Sequence, residues 1–207
     1  MVLLTRRGAM LGAAALPLVP SLASAAPAIG APAPDFALPD QDGQVRRLSE
    51  FRGRTVVLEW TNHDCPYVRK HYNSSNMQNL QREAASRNVV WLSMASSPQG
   101  EQGYVTGPQA KELTRSRNAA PTAVILDHRS QAARAYSATA TPGMYVIDAE
   151  GRLRYMGAID SIRSTRVEDV PRAEPFLRDA MIAVQEGRQL ERAVTPAYGC
   201  VIKYVDA

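Results

Sequence analysis

Two cysteines stand in 207 residues, Cys65 and Cys200. Cys65 follows an apolar run, Thr55-Val56-Val57-Leu58-Glu59-Trp60, that breaks into Thr61-Asn62-His63-Asp64; Pro66 and a helix-compatible stretch come after it. A thiol at a strand-to-helix junction lies near unpaired backbone N–H groups and the positive end of a helix dipole. That setting favours the thiolate, the form that attacks a peroxide oxygen or a disulfide sulfur. Arg69, Lys70 and His63 favour the anion and Asp64 opposes it. The alternative is an inert cysteine that packs as a small hydrophobe. Cys200 is the obvious partner: it could resolve a sulfenic acid at Cys65 as an intramolecular disulfide. The same crosslink could be a static staple, worth roughly 4–5 kcal/mol by loop-closure entropy, or Cys200 could pair with another molecule.

Glu59 lies six residues before Cys65 inside the apolar strand. A carboxyl desolvated there has a raised pKa, as a proton relay requires; the other readings are a sheet edge or a pairing with Arg or Lys. His63, Cys65 and His71 match no closed zinc spacing, so no metal is expected. Trp60 and Trp91 read as strand core. Tyr67, two residues past the cysteine, either rims the site or caps the core.

The first residues read as an export signal. Met1 to Arg7 carry two positive charges and no acid, Ala9 to Leu22 is Ala/Leu-rich, and Ala23-Ser24-Ala25 offers small residues to a signal peptidase, with cleavage expected after Ala25. Thr5-Arg6-Arg7 resembles a twin-arginine signal. These features predict a periplasmic protein with no membrane anchor after cleavage, in a compartment that permits disulfides. Without residues 1–25 the formal charge falls from +4 to +2. No Lys/Arg block persists, so nucleic acid is not an expected partner. About 180 residues suffice for one domain with a substantial core.

The elements that must position these residues follow from punctuation and periodicity. Residues 26–34 read as an Ala/Pro-rich extended linker, and 35–207 as the domain. Leu48 to Phe51 reads as one helical turn, Thr55 to Trp60 as a central buried strand, and Pro66 to about Arg87 as one long helix opened by a first-turn proline. Strands at Val89–Met94, Thr122–Leu126, Met144–Ile147 and Leu153–Gly157 alternate with helices at Pro108–Arg117 and Ser130–Tyr136; Asp148 to Gly151 is a hairpin turn. A last helix is predicted over Pro171 to Glu186, and the tail around Cys200 is predicted irregular. This β-α-β-α-β-α-β-β-α order implies parallel βαβ units closed by an antiparallel hairpin.

The segment Val57-Leu58-Glu59-Trp60-Thr61-Asn62-His63-Asp64-Cys65-Pro66-Tyr67-Val68-Arg69-Lys70 resembles the active-site segment of thioredoxin-fold redoxins, the AhpC/TSA and peroxiredoxin-like branch. Thr141-Pro142-Gly143-Met144-Tyr145-Val146-Ile147-Asp148 looks like that fold's cis-proline loop running into a strand, and Gly199-Cys200-Val201-Ile202-Lys203 resembles a peroxiredoxin-like group. The resemblance implies a thioredoxin-like three-layer α/β sandwich with a mixed, mainly parallel central sheet and a C-terminal hairpin plus helix. It implies a thiol-based oxidoreductase acting on a peroxide or a protein disulfide, with electrons from a thiol donor and no cofactor. Thr141 and Pro142 would hold substrate beside the Cys65 sulfur, and Glu59 would pass protons to it. Val68 replaces the second cysteine of a vicinal dithiol, and Asn62 replaces the peroxiredoxin hydroxyl three residues before the reactive cysteine. The oxygen-positioning hydroxyl is then missing, or replaced by the Asn62 amide or by Thr61. The non-enzymatic alternative is a binding module with a static Cys65–Cys200 crosslink.

Overall fold

The structure is a computed structural model and describes residues 27–205; the export signal read into residues 1–25 lies outside them. Strands β1 (Ala37–Pro39) and β2 (Val45–Arg47) form a small hairpin, followed by a 3-10 turn at Leu48–Phe51. β3 (Val56–Trp60) is buried at every position. It leads into α1 (Pro66–Asn73) and α2 (Asn76–Ser86). Next come β4 (Val90–Ala95), α3 (Gly107–Ser116), β5 (Ala123–Leu126), α4 (Gln131–Ala135) and the two-residue β6 (Ala140–Thr141). The chain closes with β7 (Gly143–Ile147), β8 (Leu153–Gly157), α5 (Phe176–Gln185) and β9 (Cys200–Val201).

The central sheet has the order β5-β4-β3-β7-β8. β3, β4 and β5 are parallel, while β7 runs antiparallel to both β3 and β8. β3 is therefore the middle strand, covered on both faces, which is why its sequence is a nearly unbroken apolar run. Its alternate side chains feed two cores. Val56, Leu58 and Trp60 join Leu92, Ile125, Tyr136 and Phe36 on one face. Val57 joins Val68, Tyr72, Met77, Trp91 and Leu177, beneath α1, α2 and α5, on the other. This is the expected three-layer thioredoxin-like sandwich with a mixed sheet.

Four local expectations need correction. The helix predicted over 66–87 is two helices, broken where Ser75 takes φ 60; Ser and Asn side chains compete for the backbone and favour such breaks. The last helix starts later than Pro171: a 3-10 turn at Val167–Arg172 precedes it, and Pro175 is its N-cap. The tail is ordered at Cys200–Val201, which pairs antiparallel with β6. The segment read as a linker is hydrogen-bonded from its fifth residue, with Gly30 N–H donating to Leu153 O (2.7 Å), Leu153 N–H to Ala31 O (3.0 Å) and Ala33 N–H to Gly151 O (2.9 Å). It thereby covers the otherwise unpaired edge of β8.

Candidate active site

The end of β3 places Cys65. Asn62 makes the turn: its Oδ1 accepts the Asp64 N–H (2.9 Å), and its carbonyl accepts the Cys65 N–H (3.1 Å). Cys65 is the N-cap of α1 with Pro66 at the first helical position, and its carbonyl accepts the Arg69 N–H (2.9 Å). The side chain, however, does not cap the helix. It is fully buried, and Sγ donates to the Thr141 carbonyl at 3.1 Å. The Thr141–Pro142 peptide is cis, and Thr141 lies opposite Cys200 in the β6–β9 pair. Both cysteines are free thiols. Burial first, and then the neighbouring Cys65 thiol, hold the Cys200 thiol well above the ordinary cysteine range.

Cys65, Thr141, Pro142 and Cys200, distant in sequence, thus meet at one point. The tail strand covers the buried sulfur. Gly199 allows the approach: its φ is +132°, and a Cβ there would fall 1.9 Å from the Thr141 carbonyl oxygen. Beside Asn62, Thr141 and Val201 lies a recess of about 10 Å³, room for roughly one water-sized molecule.

The remaining predicted residues stand further off. Glu59 is completely buried. Its partners are Tyr72 Oη (3.0 Å), Trp91 Nε1 (2.9 Å), Ser93 Oγ (2.9 Å) and Gln81 Nε2 (3.4 Å); among the described residues none is a cysteine. Burial raises its pKa against the pull of these donors. The Asn62 amide is engaged twice, by the Asp64 N–H and by the Gln102 carbonyl (3.3 Å). Tyr67 is half-buried and packs its ring 5.8 Å from that of Tyr198, on the tail itself.

The cations expected around Cys65 are occupied elsewhere. Arg69 bonds Asp64 (3.0 Å) and the His63 carbonyl (3.2 Å). Lys70 is buried on Asp160 (3.2 Å). Burial holds His63 below the ordinary histidine range, with Asp64 opposing. No group of three His, Cys, Asp or Glu side chains among the described residues is placed to hold a metal ion.

Sequence reasoning missed Tyr198, Asp160 and Arg117. Tyr198 and Asp160 form a buried cluster with Lys70 and His71. Arg117 lies over the Tyr72 ring (4.9 Å) and donates to the His63 carbonyl (2.9 Å). No local pattern marks these three; only the proximity of Tyr198 to Cys200 in sequence hints at one of them.

Comparison with known proteins extends the picture. A model of the AhpC/TSA family matches residues 29–156. The thiol-disulfide oxidoreductase ResA of Geobacillus kaustophilus is 26% identical over 134 residues, covering 61% of this chain and 67% of the relative. Among solved structures, an uncharacterized conserved protein from Geobacillus kaustophilus superposes with a TM-score of 0.73 at 24% identity, over 87% of this chain and 94% of its own. Peroxidoxin BcpB from Mycobacterium tuberculosis gives 0.54 at 18% identity, over 75% of this chain and 97% of its own. These structural likenesses show a shared thioredoxin-like fold.

Proposed function

The chain belongs to the AhpC/TSA family, and on that premise we propose that it is a thiol-dependent oxidoreductase whose redox couple is Cys65 with Cys200. One observation carries this reading: Cys65 Sγ donates to the Thr141 carbonyl at 3.1 Å and Thr141 pairs with Cys200 in the β6–β9 ladder, so the fold brings two cysteines far apart in sequence to the same residue. In the first step the Cys65 sulfur attacks a peroxide oxygen. The O–O bond breaks, the sulfur becomes a sulfenic acid, and the thiol proton leaves with the departing alcohol or water. In the second step the Cys200 sulfur attacks that of Cys65, the S–O bond breaks, and the hydroxyl leaves as water with the Cys200 proton. An external thiol donor reduces the disulfide and completes the cycle.

Thr141 holds the Cys65 sulfur in place through its carbonyl, and Pro142 sets the turn that presents it. Glu59 is the proton reservoir beneath the site; with no direct bond to the sulfur, any proton it moves passes through Tyr72 or solvent. The tail strand lying along Thr141 occupies the edge that an extended polypeptide would use, which favours a small oxidant. Disulfide exchange with an exported protein is the second reading, supported by the similarity to ResA. The pattern in residues 1–25 supports a periplasmic protein of residues 26–207 released after Ala25.

Stopped-flow oxidation of the reduced protein by hydrogen peroxide separates the two readings. A rate well above that of a free thiol, followed by a first-order closure step absent in Cys200→Ser, is expected. A rate no better than a free thiol's removes the peroxidase reading.

A further inference from the structure

Behind the two cysteines lies a buried polar cluster that the proposed chemistry does not use. Lys70 Nζ donates to Asp160 (3.2 Å) and to the Ile162 carbonyl (3.0 Å). The other Asp160 oxygen accepts the Tyr198 hydroxyl and the Ile162 N–H (3.1 Å). Tyr198 Oη also meets His71 Nε2 (3.3 Å), and His71 Nδ1 meets Asn76 Nδ2 (2.9 Å). His71, buried and held down to about 4 by that burial, is neutral and carries one ring proton. With the Asn76 amide donating to Nδ1, that proton sits on Nε2 and points at Tyr198. Every polar atom of Lys70, Asp160, Tyr198 and the His71 ring therefore has a partner, the condition under which a buried network fixes geometry.

The cluster joins the two halves of the redox couple. Lys70 and His71 are in the last turn of α1, the helix whose N-cap position Cys65 holds, and Tyr198 stands two residues before Cys200. Of residues 196–201, Tyr198 alone is buried; Thr195 and Ile202 are the next anchors on either side. The segment between those anchors lies along Thr141, with Ala140 opposite Val201 and Thr141 opposite Cys200. It occupies backbone groups with which a sheet edge would otherwise hold an extended chain.

We propose that Tyr198 is a positioning residue, a latch seated on Asp160 and His71 that keeps the Cys200 strand on the Thr141 edge and so commits Cys65 to Cys200 in preference to thiols of external peptides. This rests on the Cys65–Cys200 reading above. The latch acts on the choice of partner: a peptide thiol has to displace the strand to reach the buried sulfur.

The test uses the full chain with Tyr198→Phe, which deletes one hydroxyl, and Gly199→Ala, which lifts the strand off Thr141 without touching the buried cluster. The first readout is alkylation of Cys65 by iodoacetamide in the reduced protein. The second is the partition of peroxide-oxidised Cys65 between Cys200 and added glutathione, quenched with acid and mapped by mass spectrometry. Both are taken well below each variant's melting temperature, where a loss of stability alone leaves the partition unmoved. Removing a hydrogen bond to a carboxylate should speed alkylation and shift the partition toward the glutathione adduct by about ten- to a hundredfold. Gly199→Ala should shift both readouts in the same direction, and it carries the test should Tyr198→Phe fail to fold. Folded variants with both readouts unchanged overturn the latch. If the unsubstituted protein forms no Cys65–Cys200 disulfide, it is the redox reading that fails, and the alkylation rates still judge the latch.

Discussion

Oxidation should stabilise this fold markedly, because it closes a long loop at a point where the fold has already brought the two sulfurs together. The Cys65–Cys200 bond encloses about 135 residues, for which the chain-entropy relation gives about 5 kcal/mol at 25 °C. The native state should add little opposing strain, since Cys65 and Cys200 already flank the same residue, Thr141, before the bond forms. With a urea slope of about 2 kcal/mol/M for a domain of this size, the unfolding midpoint of the oxidised protein should lie about 2.5 M above that of the reduced protein. The assay is equilibrium urea unfolding at pH 7 followed by far-UV circular dichroism, with a phosphine reductant in the reduced arm. Cys200→Ser and Cys65→Ser should show no difference between the arms. Coincident midpoints in the unsubstituted protein, or a lower midpoint when oxidised, would refute the reasoning: the sulfurs would then be unpaired, or pairing would deform the fold.

Three further outcomes follow from the buried groups. His71 is held down to about 4, chiefly by burial, whereas an unfolded histidine titrates near ~6.5. The unfolded chain therefore binds the extra proton between those values, and stability is lost as pH falls through them, by about 3 kcal/mol at pH 4; His71→Gln should lack that share of the acid-side decline in urea titrations. Glu59 has a raised folded pKa, so its contribution is present at low pH and is lost as pH rises through the folded value. Glu59→Gln should be at least as stable as the parent at pH 7, and slower closure of the disulfide in that variant would identify Glu59 as the proton carrier. Asn62→Ala should lower stability by about 1–2 kcal/mol, because the Asp64 N–H loses its acceptor, while the peroxide rate of Cys65 changes little; a large loss of rate at constant stability would place the amide on the oxidant instead.

The sheet was legible in the sequence wherever burial is two-sided. β3, β4 and β7 are apolar runs, broken only by Glu59 and Ser93, and the Asp148–Gly151 turn marks the β7–β8 hairpin, so these strands fall within a residue or two of where periodicity puts them. The Ser74–Ser75 break carries no periodic signal because the apolar spacing on either side of it suits one helix; a single left-handed residue redirects the chain. The position of Cys65 at a helix start was also readable, from Pro66 after a polar turn. Its electrostatics were not: Arg69, Lys70 and His63 are near it in sequence, yet their side chains find Asp64, Asp160 and backbone carbonyls instead. The order of the tail was hidden for a related reason. Two residues of strand carry no periodic signal, and their stability comes from Tyr198 and Ile202, whose pockets are built by distant segments.

The most direct measurement is disulfide mapping of the reduced protein after one equivalent of hydrogen peroxide, with free thiols alkylated and the digest kept unreduced. The peptides bearing Cys65 and Cys200 should appear joined in good yield and separate on treatment with dithiothreitol. A digest in which Cys200 is alkylated throughout, while Cys65 remains a thiol or is carried on to sulfinic acid, would contradict the pairing on which the proposed chemistry stands.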